Sequence, residues 1–521
     1  MTRLFKDRPV LKRAAVLCAA LALNACTTLG PDYEEPQVDW LDGWQTSLYG
    51  QIEAPQQQAE ADLRFWWQLF DDPVLNSLIE ATRAANPSLR IAGLRILESR
   101  AQLGIADSTR YPQVKQVGGA ISYVNSRQSG GHIDQDFLNY QSSFNLGWEL
   151  DFWGRFRRGI ESANAAFFGS IANQQDLQVL LSAQVADLYY AYRTTQLRIE
   201  IARENAALQE RSYQITQRLF RSGQDSELDL QQAKTQYLAT LSTIPQLQIA
   251  LTQTRNALAT LLGRPPGDIP ALGDERQSLP DIKPVLIQDI PARLLMRRPD
   301  IRAAAWQVAT QSAQIGLAEA DFYPAISLLG SIGWSGNSLS SSPNTGTLAL
   351  GPGLTWNVFD RGRIANNVRV QDARLQQLIE RYQDAVLQAA RQIDDAAINV
   401  VKTAEQQEIL TESLNAARRA LELANSLYRE GYAGFQRVLD AQRAVAAQSE
   451  RELVNRGNHL SAVIALYKAI GGGWLETPVQ QLIPGDLRDA MQQRSDWGDL
   501  PSAPLPTGAA GPPSDETKQH E

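Results

Sequence analysis

Cysteine and histidine are scarce in this chain, and their scarcity excludes most disulfide and metal chemistry. The 521 residues include two cysteines, Cys18 and Cys26, and three histidines, His132, His459 and His520. The histidines lie far apart in the sequence and form no metal-binding motif. Both cysteines lie near the N-terminus, and the mature chain predicted below keeps only one of them. A disulfide within the mature chain is therefore excluded, and we expect no metal site.

Catalytic motifs and an excess of basic residues are also missing. The sequence contains no Walker loop, no G-x-S-x-G turn and no H-E-x-x-H motif. The formal net charge is −8, from 49 Lys and Arg against 57 Asp and Glu. A surface that binds nucleic acid requires the opposite sign. These absences predict a protein that is not an enzyme, has no cofactor and does not bind nucleic acid.

Long apolar runs are missing as well, which excludes a transmembrane helix of the usual ~20 residues. The one apolar run, residues 14–23, is too short to span a bilayer and follows a basic segment, which is typical of a signal peptide. It ends in Leu23-Asn24-Ala25-Cys26, which resembles a bacterial lipobox. We therefore predict a lipoprotein signal peptide at residues 1–25.

The resemblance to a lipobox implies a covalent lipid on Cys26, consisting of a diacylglycerol and an acyl chain. Thr27 follows the cysteine, where an inner-membrane retention signal has Asp. The resemblance therefore indicates an anchor in the outer membrane. An ordinary signal peptide that happens to end near a cysteine is the alternative.

The rest of the chain contains two copies of one plan. Asn86-Pro87 matches Arg298-Pro299, and at the same offset of 212 positions Gly104 matches Gly316. After a short deletion the offset becomes 208, and it carries Trp148 onto Trp356, Gly223 onto Gly431 and Gly263 onto Gly471. A period of this length is too long for a solenoid, whose repeats span ~20–50 residues. The sequence therefore predicts a duplicated domain.

Hydrophobic periodicity and glycine positions predict the same elements in each copy. Gly223 and Gly431 are predicted to end two very long helices, and Pro245 is predicted to interrupt the first returning helix. The predicted segments are a lipid-anchored extended leader at 26–61, a first repeat at 62–265, a linker at 266–284, a second repeat at 285–475, and a C-terminal segment at 476–521. The tail of this last segment, after about residue 495, is predicted to be disordered because it is rich in Pro, Gly and Ala. Within the repeats we predict hairpins at about 113–149 and 325–358, long helices at about 154–222 and 362–430, and returning helices at about 226–262 and 434–470.

The two hairpins alternate apolar and small polar residues over strands of ~10 residues, a length typical of membrane β-barrels. The apolar positions, with Leu329 as an exception, are predicted to face lipid, including Phe144, Trp148, Trp334 and Trp356. A half-buried sheet of a soluble protein shows the same alternation and is the alternative.

Four strands cannot close a barrel, and an open edge in a bilayer leaves backbone groups without hydrogen bonds. Strands that span a membrane therefore require several chains. Two chains would supply eight strands, and barrels of that size are filled by their own side chains. An open channel favours three chains and twelve strands.

Several motifs together resemble the TolC-like outer membrane factors, in particular their NodT-type efflux lipoprotein branch. They are the duplication, the lipobox, Phe65-Trp66-Trp67, and the run Trp148-Glu149-Leu150-Asp151-Phe152-Trp153-Gly154-Arg155. The resemblance implies a mixed fold in which a homotrimer forms a 12-stranded transmembrane β-barrel, four strands per chain, continuous with a long periplasmic α-helical barrel. It also implies an exit duct in the Gram-negative outer membrane, with a periplasmic adaptor and an inner-membrane pump of the resistance-nodulation-division type as partners.

The resemblance further implies a gate where the long and returning helices turn. The tyrosine of the family's gate falls on Tyr428 and its carboxylate partner on Asp229, while the lumenal acid falls on Asp440. A second lumenal acid of some members falls on Arg437, which departs from the pattern and raises the alternative of an Arg437–Asp440 ion pair. Two other functions remain open at this point, namely a duct for type I protein secretion and a lipid-anchored periplasmic scaffold without a pore.

Overall fold

The computed structural model describes residues 28–41, 44, 63–126, 135–273, 278–282, 295–337 and 344–506. The predicted signal peptide, the acylation site Cys26, most of the leader, the two hairpin loops and the end of the tail lie outside the described residues.

A four-stranded antiparallel sheet lies at one end of the molecule. Its strands are β1 (Val114–Ser126), β2 (Gln135–Glu149), β3 (Ala325–Gly336) and β4 (Asn344–Thr355). The strand order is β1-β2-β3-β4, so the hairpin of the first repeat pairs side by side with the hairpin of the second. Within the described chain, β1 and β4 each have one edge without a neighbouring strand.

Each repeat contains one helix of 67 residues, α3 (Arg155–Arg221) in the first and α6 (Arg363–Arg429) in the second. At 1.5 Å per residue each is about 100 Å long. Gly154 and Gly362 precede these helices with φ of 72° and 83°, in the left-handed region that favours glycine. The returning helices, α4 (Glu227–Leu261) and α7 (Phe435–Ala469), have 35 residues each and so follow only half of the long ones.

Shorter helices cover the other half of each long helix. They are α1 (Pro73–Ala85), α2 (Pro87–Ser108) and α5 (Pro299–Glu319). Asn86 accepts hydrogen bonds from the backbone N–H groups of Ser88 and Leu89, which caps α2. Its side-chain amide donates to the Leu261 carbonyl at 2.8 Å, and so joins the start of α2 to the end of α4.

The second repeat makes the same junction with different chemistry. Arg298, which corresponds to Asn86, donates from Nη1 to the Ala469 carbonyl at 2.5 Å. Ala469 in turn corresponds to Leu261 at the offset of 208. In both repeats, therefore, the last residue before the proline of the short helix binds the end of the returning helix.

The main core lies where these helix ends meet. Trp66 and Trp67, from the Phe65-Trp66-Trp67 motif, are buried there. The Trp66 ring stacks on Tyr467 of α7 with centroids 5.5 Å apart, and the Arg83 guanidinium lies 4.6 Å from the centre of the Trp67 ring. The aromatic motif thus fastens the start of the first repeat to the last long element of the second.

Two sequence predictions were wrong. Pro245 lies inside α4, which continues through it without an interruption. The tail was predicted to be disordered from about residue 495, but residues up to 506 are ordered against α2. Arg100 donates to the carbonyls of Leu500, Ala503 and Pro504, because a long cationic side chain can satisfy several carbonyls of a segment that has no regular structure. Before this irregular stretch, the C-terminal segment forms two short helices, α8 (Val479–Leu482) and α9 (Gly485–Arg494).

Candidate functional site: barrel wall and helix tips

The strand register places the predicted apolar residues on one face of the sheet. Phe144 pairs with Val117 on one side and Ile332 on the other, and Ile332 pairs with Leu348. Trp148 and Trp334 belong to the same face, with Lys115 near one end of β1 as a charged exception. The predicted alternation is therefore shared in register by all four strands.

This apolar face is exposed in the single chain. Val117 is 85% exposed, Ile121 72% and Leu350 76%. A soluble monomer rarely leaves a contiguous apolar surface of this kind open to water. The sheet therefore has the character of a wall that faces lipid rather than a half-buried sheet of a soluble domain.

The opposite face consists mainly of small and polar residues, and its larger apolar side chains are Val114, Val124, Phe137 and Leu329. Leu329 lies over two glycines of the adjacent strands. Its Cδ1 is 2.8 Å from where a Cβ of Gly353 would be, and its Cδ2 is 3.8 Å from the same position of Gly147. The absence of side chains at these glycines accommodates the leucine, so the exception to the pattern has a local packing partner.

Aromatic side chains mark the junction between sheet and helices. Trp153 stacks on Tyr323 with centroids 4.6 Å apart and donates from Nε1 to the Pro324 carbonyl at 3.0 Å. Trp356, one residue beyond β4, donates from Nε1 to the Phe322 carbonyl at 2.9 Å and is 54% exposed. Aromatic residues at this level resemble the girdles at the rims of membrane barrels.

The helix tips lie at the far end of the long helices. Gly223 and Gly431 have φ of 74° and 80°, and a Cβ at either would meet nothing within 4 Å. The backbone conformation alone therefore requires glycine at these turns. At the offset of 208, Phe220 corresponds to Tyr428 and Asp229 corresponds to Arg437, so the two tips differ in the residues that carry charge or a hydroxyl.

Tyr428 lies in a small apolar cluster at the tips. Its ring centre is 5.2 Å from that of Phe435, and the cluster also contains Ala233, Val438 and Leu439. Partial burial raises the pKa of Tyr428, and the nearby carboxylates of Asp225 and Asp229 raise it further. The fold thus brings Tyr428 of the second tip close to two acids of the first.

Asp229 has a local role within one chain. Its carboxylate accepts a hydrogen bond from the Ser226 hydroxyl at 2.6 Å, and its own N–H donates to that hydroxyl at 3.1 Å, which caps α4. In the part of the chain that the structure describes, Tyr428 and Asp229 make no hydrogen bond to each other. A direct bond between them would have to form between neighbouring chains or after a small movement.

Asp225 is a tip residue that the sequence reasoning missed. Burial raises its pKa, and the neighbouring Asp229 raises it further. Its Oδ2 atom is buried without a hydrogen-bonding partner among the described residues. A comparison of the two turns could have found it, because the corresponding position in the second repeat is Ala433.

Asp440 is exposed and pairs with Arg443 rather than with Arg437. Its carboxylate accepts hydrogen bonds from Arg443 Nη1 at 3.0 Å and from Gln436 Nε2 at 3.2 Å. The alternative of an Arg437–Asp440 ion pair is therefore wrong within one chain. Arg437 and Arg443 both lie one helical turn from Asp440, but an acid that precedes its basic partner along a helix is the favoured order. Asp440 therefore pairs with Arg443, and Arg437 is left exposed.

Among the described residues there is no group of three or more His, Cys, Asp or Glu side chains that could hold a metal ion. No helix in the described ranges combines the length and the apolarity needed to cross a membrane.

Comparison with known proteins adds an independent finding. The family described as outer membrane efflux protein matches residues 78–264 and 290–472, which is more than half of the chain. The cation efflux system protein CusC of Escherichia coli O6:H1 is 30% identical over 461 residues, covering 88% of this chain and 98% of CusC. The probable outer membrane lipoprotein SilC of Salmonella typhimurium is 28% identical, covering 87% of this chain and 97% of SilC.

A solved structure agrees with these relatives. The outer-membrane channel OprN superimposes with a TM-score of 0.77 at 31% identity, over 86% of this chain and 99% of that one. The predicted fold class, the outer-membrane location and the role in efflux are thereby confirmed. This chain belongs to the outer membrane efflux protein family, a family of outer-membrane channels.

Proposed function

We propose that three copies of this chain form a gated exit duct that passively conducts small molecules out of the cell. The duct receives them from an inner-membrane pump of the resistance-nodulation-division type through a periplasmic adaptor. The observation that carries the proposal is the sheet, which has one largely apolar face and, within the described chain, two unpaired edges. In a bilayer each unpaired backbone group costs several kcal/mol, so these edges must pair with other chains.

Twelve strands leave an aqueous interior, whereas eight do not. The small polar face, with its glycines, serines and asparagines, then lines the lumen. Such a lining discriminates little between solutes, so selectivity belongs to the pump. Beyond Cys26 the chain has two sulfur-containing side chains, Met296 and Met491. Met491 is buried, and Met296 accepts a hydrogen bond from Tyr382. Soft metal ions would therefore pass through the lumen without sulfur ligands.

The helix tips form the gate in this proposal. Tyr428 lies beside Asp225 and Asp229 within one chain, and three copies of this arrangement meet near one axis in the trimer. Hydrogen bonds from Tyr428 to a carboxylate of a neighbouring chain would hold the tips closed, each contributing about 1.5–3 kcal/mol. Asp440 with Arg443, and the exposed Arg437, provide the charged surface around this gate.

Single-channel conductance in planar bilayers tests both parts. The variants are the wild type, Tyr428→Phe with Asp229→Ala, and the control Tyr432→Phe, which changes an exposed tyrosine of the same turn. We expect a low conductance that rises several-fold in the double variant and is unchanged in the control. Equal, large conductances in all three would retain the duct and refute the gate. Folded protein that forms no channel in any variant would refute the duct and favour the scaffold.

A further inference from the structure

The leader begins its described course at the junction between sheet and helices. Thr28 contacts Gly154, since a Cβ on that glycine would come within 2.9 Å of the Thr28 Cα atom. The Leu29 N–H donates to the Trp153 carbonyl at 3.2 Å. These contacts attach the leader to the residues that link β2 to α3, beside the proposed membrane surface.

Two glycines then allow the leader to lie directly on α5. Gly30 has φ of 81°, and a Cβ there would lie 2.4 Å from the Gly316 Cα atom. Conversely, a Cβ on Gly316 would lie 2.3 Å from the Leu29 carbonyl oxygen. Backbone is therefore in contact with backbone, and neither position accommodates a side chain without a displacement of the leader.

A buried arginine binds the same stretch. The Arg158 side chain of α3 is 3% exposed. Its guanidinium donates to the carbonyls of Leu29 at 2.9 Å and Gly30 at 3.0 Å, and it pairs with the Asp32 carboxylate at 2.9 Å. Glu161 on the same helix also pairs with it at 2.8 Å. A buried cation whose donors are directed at two carbonyls and an acid recognises one register of the leader.

The duplication supplies a comparison within the chain. Gly104 of α2 corresponds to Gly316, yet a Cβ on Gly104 would meet nothing within 4 Å. The position that corresponds to Arg158 is Asn366. The close approach and the arginine therefore occur together in one copy of the plan, on the helices that the leader crosses. A general requirement of the repeat fold would place them in both copies.

We propose that Arg158 and Gly316 form a binding site for the leader, here called the clasp, which sets the position of the lipid anchor. Residue 26 can lie no farther than about 7 Å from Thr28, because two residues of extended chain span ~3.3–3.6 Å each. The clasp thus holds an acylated Cys26 at the junction between barrel and helices. A slip of the leader by a few residues would carry the attachment point away from the bilayer surface. Arg158 and Gly316 act as positioning residues, and their role rests on the proposed lipidation of Cys26.

Limited proteolysis of the purified, membrane-extracted trimer tests the clasp, with mass spectrometry reporting both leader cleavage and the acyl chains. We expect Gly316→Ala and Arg158→Lys to raise the rate of leader cleavage at least about tenfold, because cleavage follows the population of the released leader. The matched controls are Gly104→Ala, at the corresponding open position, and Arg157→Lys, at the exposed neighbour. Both controls should be cleaved at the wild-type rate.

Leader protection that is equal in Gly316→Ala and Gly104→Ala would overturn the clasp. An intact mass without acyl chains on Cys26, together with a protected wild-type leader, would refute the anchor and with it the proposed role. Asp32→Asn removes one partner of Arg158 without adding bulk, and so covers the case in which Gly316→Ala fails to fold. It should raise cleavage while conductance stays at the wild-type value, which separates the clasp from the proposed duct.

Discussion

At the scale of single residues, the carboxyl group with the largest pKa shift among the described residues lies away from the gate. Asp176 of α3 has its pKa raised to about 6, first by burial and then by the negative charge of Asp300, with Arg298 and Lys468 acting in the opposite direction. The folded protein therefore binds this proton more tightly than the unfolded chain, whose aspartates titrate near ~3.9. Above pH 6, ionisation of Asp176 lowers the free energy of unfolding. This loss is removed as the pH falls from 6 towards 4, because Asp176 becomes protonated in the folded protein.

Asp176→Asn should therefore stabilise the protein at neutral pH and do little in acid. A shift of about two pKa units corresponds to roughly 3 kcal/mol at most. The thermal midpoint, measured at one scan rate, should rise at pH 7.5 and change much less at pH 4.5. Asp372→Asn, at an exposed position of α6, is the control and should have no effect at either pH. An equal change at both pH values would contradict the assignment of the cost to ionised Asp176.

At the scale of elements, the C-terminal segment depends on one arginine. Three carbonyls of residues 500–504 accept hydrogen bonds from Arg100, whose guanidinium also lies 5.3 Å from the centre of the Phe167 ring. Hydrogen bonds to charged donors contribute about 1.5–3 kcal/mol each. The segment has little regular structure of its own there, so this single side chain accounts for much of its order.

Arg100→Ala should release residues 497–505 while the repeats stay intact. Amide hydrogen exchange in this segment should accelerate by at least about tenfold, and exchange in α3 and α6 should not change. Arg95→Ala, at an exposed position of the same helix, is the control. If the segment were equally protected in both variants, packing of Trp497 and Leu505 against the apolar cluster that contains Met491 and Leu482 would be its main restraint instead.

Among the structural elements, those defined by local sequence patterns could be predicted from the sequence, and those defined by distant contacts could not. The helix turns were predictable because Gly223 and Gly431 recur in both copies, and a left-handed turn leaves little choice of residue. The strand faces were predictable because alternation with a period of two is a local property. The tail, the leader and the Asp440–Arg443 pair were not, because each depends on which distant or competing partner a side chain reaches. Asp225 could be predicted in part. The sequence shows that Ala433 replaces it in the second repeat, but it does not show that the Asp225 carboxylate is partly buried.

At the scale of the whole molecule, the sheet edges predict which chains come into contact. β4 of one chain should pair with β1 of the next, which places Ile121 near Leu348, Leu350 or Leu354 on the shared apolar face. The mature chain has no free thiol if Cys26 is acylated, so a thiol cross-linker would react with the introduced cysteines alone. We expect Ile121→Cys combined with a cysteine at one of these three leucines to give covalent trimers with a thiol cross-linker.

The control pair is Phe144→Cys with Ile332→Cys, which the register places opposite each other within one chain. It should cross-link within the chain and leave monomers on a denaturing gel. Covalent dimers as the largest product, or no product between chains for any of the three pairs, would contradict a closed ring of three.

The two junctions at Asn86–Leu261 and Arg298–Ala469 have a mechanical consequence. At that level the short helices begin and the returning helices end, so among the described helices α3 and α6 are the ones that continue across it. A trimer would then have six continuous rods joining its upper and lower halves, with a ring of helix ends between them. Torsion applied at the tips would bend these six helices at the level of the two junctions. The β-barrel would then keep its circular cross-section while the helices nearer the tips unwind.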